Sequence, residues 1–550
     1  MSMAKKNHKY IFVLGGVMSG VGKGATTSSI ATILKSRGFK VNPIKIDPYL
    51  NVDAGTMNPI EHGEVFVLDS GLETDQDMGN YERFLNETLP AESYMTSGMV
   101  YKYVIDKERA LGYGGKCVDP VPYISAEILR RIQKSIDHTG SEITVVEIGG
   151  TVGEYQNAMF IEAARILKLK HPDDVLFVLV SYLPVPGKLG EMKTKPTQYA
   201  VQSMNSYGIH PDMIVARADH PIDKTRKEKI AFSSNIPVER IISAPDISSI
   251  YEIPINFEKD RLSDTLLKLL KIKPRHTDLK EWRAMFNKIK NAKEEVKIGI
   301  VGKYFKTGDF VLSDVYISII ESLKHAAASQ GKKAVIDWID SEEYEGKNGK
   351  KKLIKLKKYD GVLVPGGFGS RGIEGKINAI QYVRENKIPY FGICYGMQLM
   401  VIEYARNKAG LSEANTVEVD KDTKYPVIDV MEDQKNKIKE GNLGGTMRLG
   451  AYPAKLKKGT MAQDAYKQTD ISERHRHRYE VNPEYISKIE DAGLIFSGTS
   501  PDGHLMEIAE LPKSLHPFFL GTQFHPEFKS SPLNPHPLFL AFIKASIKKK

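Results

Sequence analysis

Cysteine is almost missing from this sequence: Cys117 and Cys394 are the only two in 550 residues. Two thiols cannot build a disulfide framework, and neither sits at metal-ligand spacing, so a cross-linked scaffold and a cysteine-rich metal module are both excluded. Cys117 is expected to be a small buried residue; Cys394 needs its own explanation. No apolar run reaches about 18 residues. The opening Met1-Ser2-Met3-Ala4-Lys5-Lys6 leads into a strand-like stretch where a signal peptide would have its apolar core. A cytoplasmic protein with no membrane partner is expected. Internal repeats and long low-complexity tracts are absent as well. So is any basic helix with interleaved aromatics, although the formal charge is +10. Much of that excess lies in Lys347 to Lys358 and in Lys548, Lys549 and Lys550, which read as solvated faces and tails. No nucleic-acid partner is expected; the charge suits an enzyme for polyanionic nucleotides.

What remains is an ordinary globular composition, 41% hydrophobic and 27% charged, on a chain too long for one core. Tyr10–Leu14, Thr144–Ile148 and Val175–Val180 read as buried parallel strands between helical patterns, the signature of a doubly wound α/β sheet. A charged stretch with a helix-like middle around Trp282 precedes a fresh strand, Lys297–Val301. The boundary is placed near Glu295. The expected domains are 1–275, a linker 276–295, and a second α/β domain 296–550 with strands at Gly361–Val364 and Tyr390–Ile393 and a β-rich region from Leu494 to Phe528.

Strand Tyr10–Leu14 runs into Gly15-Gly16-Val17-Met18-Ser19-Gly20-Val21-Gly22-Lys23-Gly24 and then a helical Ala25 to Arg37. Such a turn aims backbone N–H groups and a helix dipole at an anion, with a lysine to reach terminal phosphates. It departs from the strict P-loop: Gly24 stands where a magnesium-touching Ser or Thr is usual, and the glycine spacing is one residue long. Carboxylates must then hold the magnesium, and Asp77 and the strand-ending Glu147 are the candidates. Lys45-Ile46-Asp47-Pro48-Tyr49, the run Lys193-Thr194-Lys195-Pro196-Thr197-Gln198, and Lys227 and Lys229, read as flanking a helix start, suggest grips for a second polyphosphate.

In the C-terminal half, Gly392-Ile393-Cys394-Tyr395-Gly396-Met397-Gln398 places a cysteine between an apolar strand and a helix start. A thiolate there gains from the helix dipole. Far downstream, His525-Pro526-Glu527 supplies an imidazole and a carboxylate which, on an extended segment, project to one face. Gly366-Gly367-Phe368-Gly369 offers backbone donors for an oxyanion.

These last motifs closely resemble class I glutamine amidotransferases. The N-terminal half resembles the CTP synthases, through Lys45–Tyr49, Asn51–Met57, His62–Val67, Glu147–Gly153 and Lys193–Gln198; Gly444–Gly450 and Arg474–Glu480 extend the likeness nearly end to end. The resemblance implies a P-loop-like amidoligase domain fused to a class I glutaminase domain. Together they would aminate UTP to CTP with ATP through a 4-phosphorylated uracil. It implies an ATP site of Ser19, Gly20, Val21, Gly22, Lys23, Gly24, Lys45 and Asp77, with Mg2+ on Asp77 and Glu147. UTP, or feedback-bound CTP, would meet Ser19, Glu154, Tyr155, Gln156, Lys193, Thr194, Lys195, Pro196, Thr197, Gln198 and Lys229. Glutamine would lie on Gly367, Tyr395, Gly396, Met397, Gln398, Glu418 and Arg478, with oxyanion donors from Gly367, Phe368 and Tyr395. Cys394, His525 and Glu527 would be catalytic. GTP would activate at a lid around Gly445 to Arg448, and the chain would form homotetramers able to stack into filaments.

Two stretches depart from the family pattern: Gly153-Glu154-Tyr155-Gln156, which has one carboxylate fewer than Gly-Asp-Ile-Glu, and Cys117-Val118-Asp119-Pro120-Val121-Pro122-Tyr123. Both fall near the inferred pyrimidine pocket. Ammonia in neutral water is mostly ammonium and not nucleophilic, which gives a physical reason for the fusion and for an enclosed passage, with His62 as a gate. The alternatives are an amidoligase of the same architecture acting on another acceptor, and a non-catalytic filament subunit.

Overall fold

The computed structural model describes residues 8–187, 190–276, 278–303, 306–307, 310–311, 313–431, 434, 437 and 444–548. The chain divides into two compact units, one of residues 1–53 and 77–286, the other of residues 54–76 and 287–550.

The first unit is built on a seven-stranded, wholly parallel sheet. Its order is Tyr94–Thr96, Val41–Asp47, Ile143–Ile148, Lys9–Gly16, Val175–Tyr182, Met213–Ala218, Ile241–Pro245. Every residue of Val41–Asp47 and of Ile143–Ile148 is buried. Helices cover both faces, and this is why the strands are apolar without alternation. The glycine-rich turn, Asp47 and Glu147 all emerge at carboxyl ends of neighbouring strands, the edge where open α/β sheets take ligands.

The span 276–295, expected as a linker with a helix-like middle around Trp282, holds a helix there, Lys280–Asn291. Trp282, Met285 and Phe286 repeat at helical spacing and are buried. Trp282 Nε1 donates to the Tyr251 carbonyl at 2.9 Å, and its ring packs on Phe84. Cys117 is exposed, contrary to expectation, because it lies in the loop between helices Ser97–Arg109 and Pro120–Thr139.

The second unit carries a nine-stranded mixed sheet. Its parallel part runs Lys332–Asp340, Glu294–Gly302, Gly361–Val364, Tyr390–Ile393, Phe519–Thr522, and an antiparallel extension follows, Met506–Glu510, Ile495–Thr499, Arg448–Leu456, Asp470–His477. Residues 54–76, assigned from their position to the first domain, pack with this unit. The reason is chemical: three carboxylates of the segment find donors there. Glu64 accepts from Ser318 N at 3.1 Å, at the start of helix Ile317–Ser329. Asp69 pairs with Arg474, and Glu73 with Arg476 at 2.8 Å. No helix among the described residues is long and apolar enough to cross a membrane.

One buried ion pair ties the helices of the second unit together. Arg384 on Ile373–Glu385 holds Glu403 on Tyr395–Asn407 through Nε at 2.9 Å and Nη2 at 2.7 Å, with both side chains nearly inaccessible. Removing one member strands the other charge. Glu403→Ala is therefore expected to cost about 3–5 kcal/mol and to lower the melting point of this unit by roughly 6–20 °C in calorimetry. Arg384→Met/Glu403→Leu should recover most of that loss, because no charge is left buried alone.

Candidate functional site

In the first unit, the turn after strand Lys9–Gly16 has Gly20 and Gly22 at φ +70° and +91°, conformations that favour glycine. Gly22 opens helix Lys23–Ser36 with no side chain capping its amides, leaving the helix N-terminus open to an anion. Lys23 is buried, its Nζ donating to the Gly150 carbonyl at 2.8 Å. Burial lowers its pKa, against the pull of Glu147. Such an ammonium gains strongly from a bound polyanion.

Gly24 explains its own departure from the P-loop pattern. A Cβ there would run into the Asp77 carboxylate, so the space of the customary hydroxyl side chain is filled by an acid instead. Lys45 Nζ bonds Asp77 and, at 3.0 Å, Glu147; Asp47 stands 3.6 Å away. The Tyr81 hydroxyl donates to the second Glu147 oxygen, and burial pushes the Glu147 carboxyl upward in pKa while Lys45 pulls it down. The Asp77 and Glu147 carboxylates are oxygen donors of the kind a hard divalent cation takes. Among the described residues no three such side chains form a metal cluster unaided, so phosphate oxygens would have to complete the shell.

The residues expected at the pyrimidine site are less gathered. Ser19 is exposed on the turn. Glu154 folds back on Thr151, accepting from its N at 2.9 Å and its Oγ1 at 2.6 Å, and takes the Gln156 amide at 2.6 Å. Tyr155 is 96% exposed. Lys193 pairs with Glu191 at 2.6 Å. Lys195 and Pro196 open helix Lys195–Ser206, whose preceding Thr194 makes no side-chain cap; Thr197 is buried against Ser181 Oγ at 2.8 Å, and Gln198 reaches Thr194. Lys227 and Lys229 do not flank a helix start. The helix runs Lys224–Ser234 from an Asp223 cap, and Lys227 pairs with Asp260 at 2.7 Å.

In the second unit, sheet topology assembles the site. Tyr390–Ile393 lies between Gly361–Val364 and Phe519–Thr522, with Val364 opposite Gly392 and Ile393 opposite Thr522. The next residues of all three strands therefore converge: Gly366–Gly369, Cys394 and Gln523–Glu527. Cys394 caps helix Tyr395–Asn407 at φ +50°, ψ −103°, a strained geometry for a side chain with a Cβ. Gly392 and Gly396 permit the elbow: a Cβ on Gly392 would lie 2.8 Å from the Gly396 backbone, and one on Gly396 would strike the Val364 carbonyl.

Gly366 locates the reacting groups. A Cβ built there would stand 3.0 Å from His525 Cε1 and 3.7 Å from Cys394 Cβ. His525 is buried, stacks on Phe528, and shares a 2.7 Å hydrogen bond between Nδ1 and Glu527 Oε1. Glu527 reaches it because Pro526–Lys529 is a tight turn, not the extended segment expected. Burial works against a charged ring, but Glu527 and Cys394 outweigh it and push His525 up to about 10. This favours a protonated imidazole ring beside the cysteine. Cys394 Sγ donates toward the Arg476 carbonyl at 3.8 Å and accepts from Gln523 Nε2 at 3.7 Å. Gln398 braces Gln523 at 3.2 Å and the Tyr479 carbonyl at 3.0 Å.

Around this centre, Gly369 N donates to Glu418 at 2.7 Å and the Tyr395 hydroxyl donates to the Gly369 carbonyl at 3.0 Å. Lys303 bonds the Phe368 carbonyl. The loop carrying Gly367 and Phe368 is thereby fixed beside Tyr395; Met397 is buried one turn on. Arg478 bonds Gln434 at 2.7 Å and Thr446 at 3.1 Å, next to the segment expected as a lid. Sequence reasoning gave no role of their own to Gln523 and Arg476, which lie within its motifs, or to Lys303 and Lys376. Lys376 is 2% exposed, 5.3 Å from the Tyr395 ring centroid, and burial lowers it to about 7. It also passed over Arg217, whose Nη1 would be 3.0 Å from a Cβ on Gly22. Arg476 falls within the Arg474–Glu480 motif and Gln523 lies two residues before His525, but tertiary proximity is what gives each of these side chains its place.

Two family models match this chain: the CTP synthase N-terminus over residues 9–272 and the class I glutamine amidotransferase over residues 311–545. A CTP synthase from Pyrococcus furiosus is 50% identical over 540 residues, covering 98% of each chain. The chain belongs to the CTP synthase family. Another member, from Methanococcus aeolicus, is 50% identical over 548 residues, covering 98% of this chain and 99% of its own; one from Caldanaerobacter subterraneus is 48% identical over 543 residues, covering 98% and 99%. Membership makes this a glutamine-hydrolysing ligase of pyrimidine biosynthesis that draws on ATP, UTP and glutamine.

The Glu527 contact gives a pH-dependent test. If Glu527 holds His525 protonated, Glu527→Gln removes that support, and the ring loses its proton at a lower pH than about 10. The glutamine-dependent rate should fall about 100-fold or more, and the alkaline limb of its pH profile should move to lower pH. A profile unchanged in shape would contradict the assignment.

Proposed function

We propose that the two units divide one synthesis. In the first, Lys23 and Lys45 hold the ATP phosphates over the cradle Ser19–Gly24, and Asp77 and Glu147 would hold Mg2+, which supplies charge neutralisation to the phosphates. The uracil 4-oxygen, a poor leaving group as it stands, is phosphorylated by ATP; ammonia then adds and phosphate leaves. Lys193 to Gln198 and Lys229 grip the pyrimidine nucleotide, and Glu154 to Gln156 line the product and feedback site for CTP. The exposure of Tyr155 and Lys229 supports a site completed by a bound ligand or another subunit.

In the second unit, Cys394 attacks the glutamine amide carbon, forming a glutamyl thioester and releasing ammonia, with His525 as proton carrier and Glu527 as its orienter. Gly367, Phe368 and Tyr395 supply the oxyanion donors, and Gly396 to Gln398, Glu418 and Arg478 position glutamine. GTP acts as activator near Gly445 to Arg448, and His62, 3.7 Å from Asp75, gates the nitrogen. We place the enzyme in the cytoplasm as a homotetramer.

The observation that carries this reading is Cys394 on its strained elbow beside a His525–Glu527 pair, in a chain whose other unit ends adjacent strands in lysine and carboxylate clusters. The test is absorbance-monitored conversion of UTP with ATP, magnesium and glutamine, repeated with chelator, with GTP and with CTP. CTP formation that chelator stops, GTP speeds and CTP slows is expected. Glutamine hydrolysis with no uracil nucleotide aminated would point to another acceptor.

A further inference from the structure

Strand Asp470–His477 contains Arg474-His475-Arg476-His477, and alternation sends the two arginines to one side and the two histidines to the other. The arginines meet segment 54–76. Arg474, fully buried, bonds Asp69 and donates to the Val67 carbonyl at 3.1 Å. Arg476 bonds Glu73 Oε1 at 2.8 Å and the Gly55 carbonyl at 3.4 Å. A Cβ on Gly55 would run into the Glu73 carboxylate, so both ends of the segment are held close around this one contact.

The carbonyls of the same two arginines face the reacting groups. His525 N donates to Arg474 O at 2.8 Å, and Cys394 Sγ approaches Arg476 O at 3.8 Å. One strand therefore grips the segment with its side chains and the nucleophile and its base with its backbone. Along the chain, Glu73 is followed four residues later by Asp77, which bonds Lys45 in the phosphate cluster.

We propose that Arg476 is a positioning residue that couples segment 54–76 to Cys394: the Glu73–Arg476 ion pair fixes the strand whose carbonyl sets the nucleophile. The segment's docking thereby governs glutamine hydrolysis without touching glutamine. The proposal rests on the reading of Cys394 as nucleophile.

The test compares Glu73→Gln, Arg476→Lys and Arg476→Met in a Cys117→Ser background, where Cys394 is the sole thiol. Glu73→Gln should lower glutamine hydrolysis about tenfold to hundredfold, mainly in kcat, as misplacing a reacting group by a fraction of an ångström does. It should leave ammonia-driven CTP formation within about twofold, and change the rate of Cys394 alkylation by iodoacetamide. Arg476→Lys should retain more hydrolysis than Arg476→Met, and this comparison decides the matter if Glu73→Gln does not fold. Unchanged hydrolysis, unchanged alkylation, or equal loss of both activities at an unchanged melting point would overturn the coupling. An unsubstituted chain that hydrolyses glutamine but makes no CTP would refute the proposed synthesis and leave this inference standing.

Discussion

Cys394→Ala will abolish CTP formation from glutamine, by about 10⁴-fold or more, and leave formation from ammonium chloride intact. The sulfur is the only atom at the elbow able to form a thioester, and an alanine methyl fits where the thiol sits, because the strain belongs to the backbone at φ +50°. Gln523 and the Arg476 carbonyl lose only weak sulfur contacts at 3.7 and 3.8 Å. The elbow should therefore survive, and the loss should be chemical instead of structural. Steady-state rates with each nitrogen source, run beside a melting curve, check this. A variant that still uses glutamine would show that another group attacks the amide.

The second large effect lies in the other unit and has the opposite pattern. Lys23→Ala should lower CTP formation from glutamine and from ammonia alike, by about 10²–10³-fold, while basal glutamine hydrolysis persists. Lys23 Nζ rests on the Gly150 carbonyl in a nearly closed environment, with Glu147, Asp77 and Lys45 among its electrostatic partners. Its charge is costly there without an anion and becomes favourable once phosphates arrive. Removing it should weaken ATP binding in calorimetric titration as well as slow the chemistry. Loss with glutamine alone would move Lys23 out of the phosphate site.

The sequence was most legible where one local rule decides the structure. The apolar strands Tyr10–Leu14, Thr144–Ile148 and Val175–Val180 form the expected parallel sheet because burial on both faces demands continuous apolar runs. The elbow at Cys394 was readable because glycines on both sides are the local cost of a tight strand-to-helix turn. Departures arose where distant residues decide. Segment 54–76 looks from its position like part of the first domain, but the donors for Glu64, Asp69 and Glu73 lie more than 250 residues downstream. His525 and Glu527 meet through a tight turn that Pro526 initiates, and the two-residue spacing alone suited an extended strand equally well. Lys376 had no local signal; its place beside Tyr395 follows from how its helix packs. The helix-like middle around Trp282 was legible too, and Lys280–Asn291 is a helix that buries Trp282, Met285 and Phe286.

The most direct test follows the nitrogen atom. The unsubstituted chain would be given UTP, ATP, magnesium and glutamine labelled with ¹⁵N in its amide, and the CTP product analysed by mass spectrometry. The account predicts CTP carrying ¹⁵N on its exocyclic amino group, and no such product from Cys394→Ala. Labelled ammonia accumulating in solution while CTP fails to form, or forms without label, would contradict it.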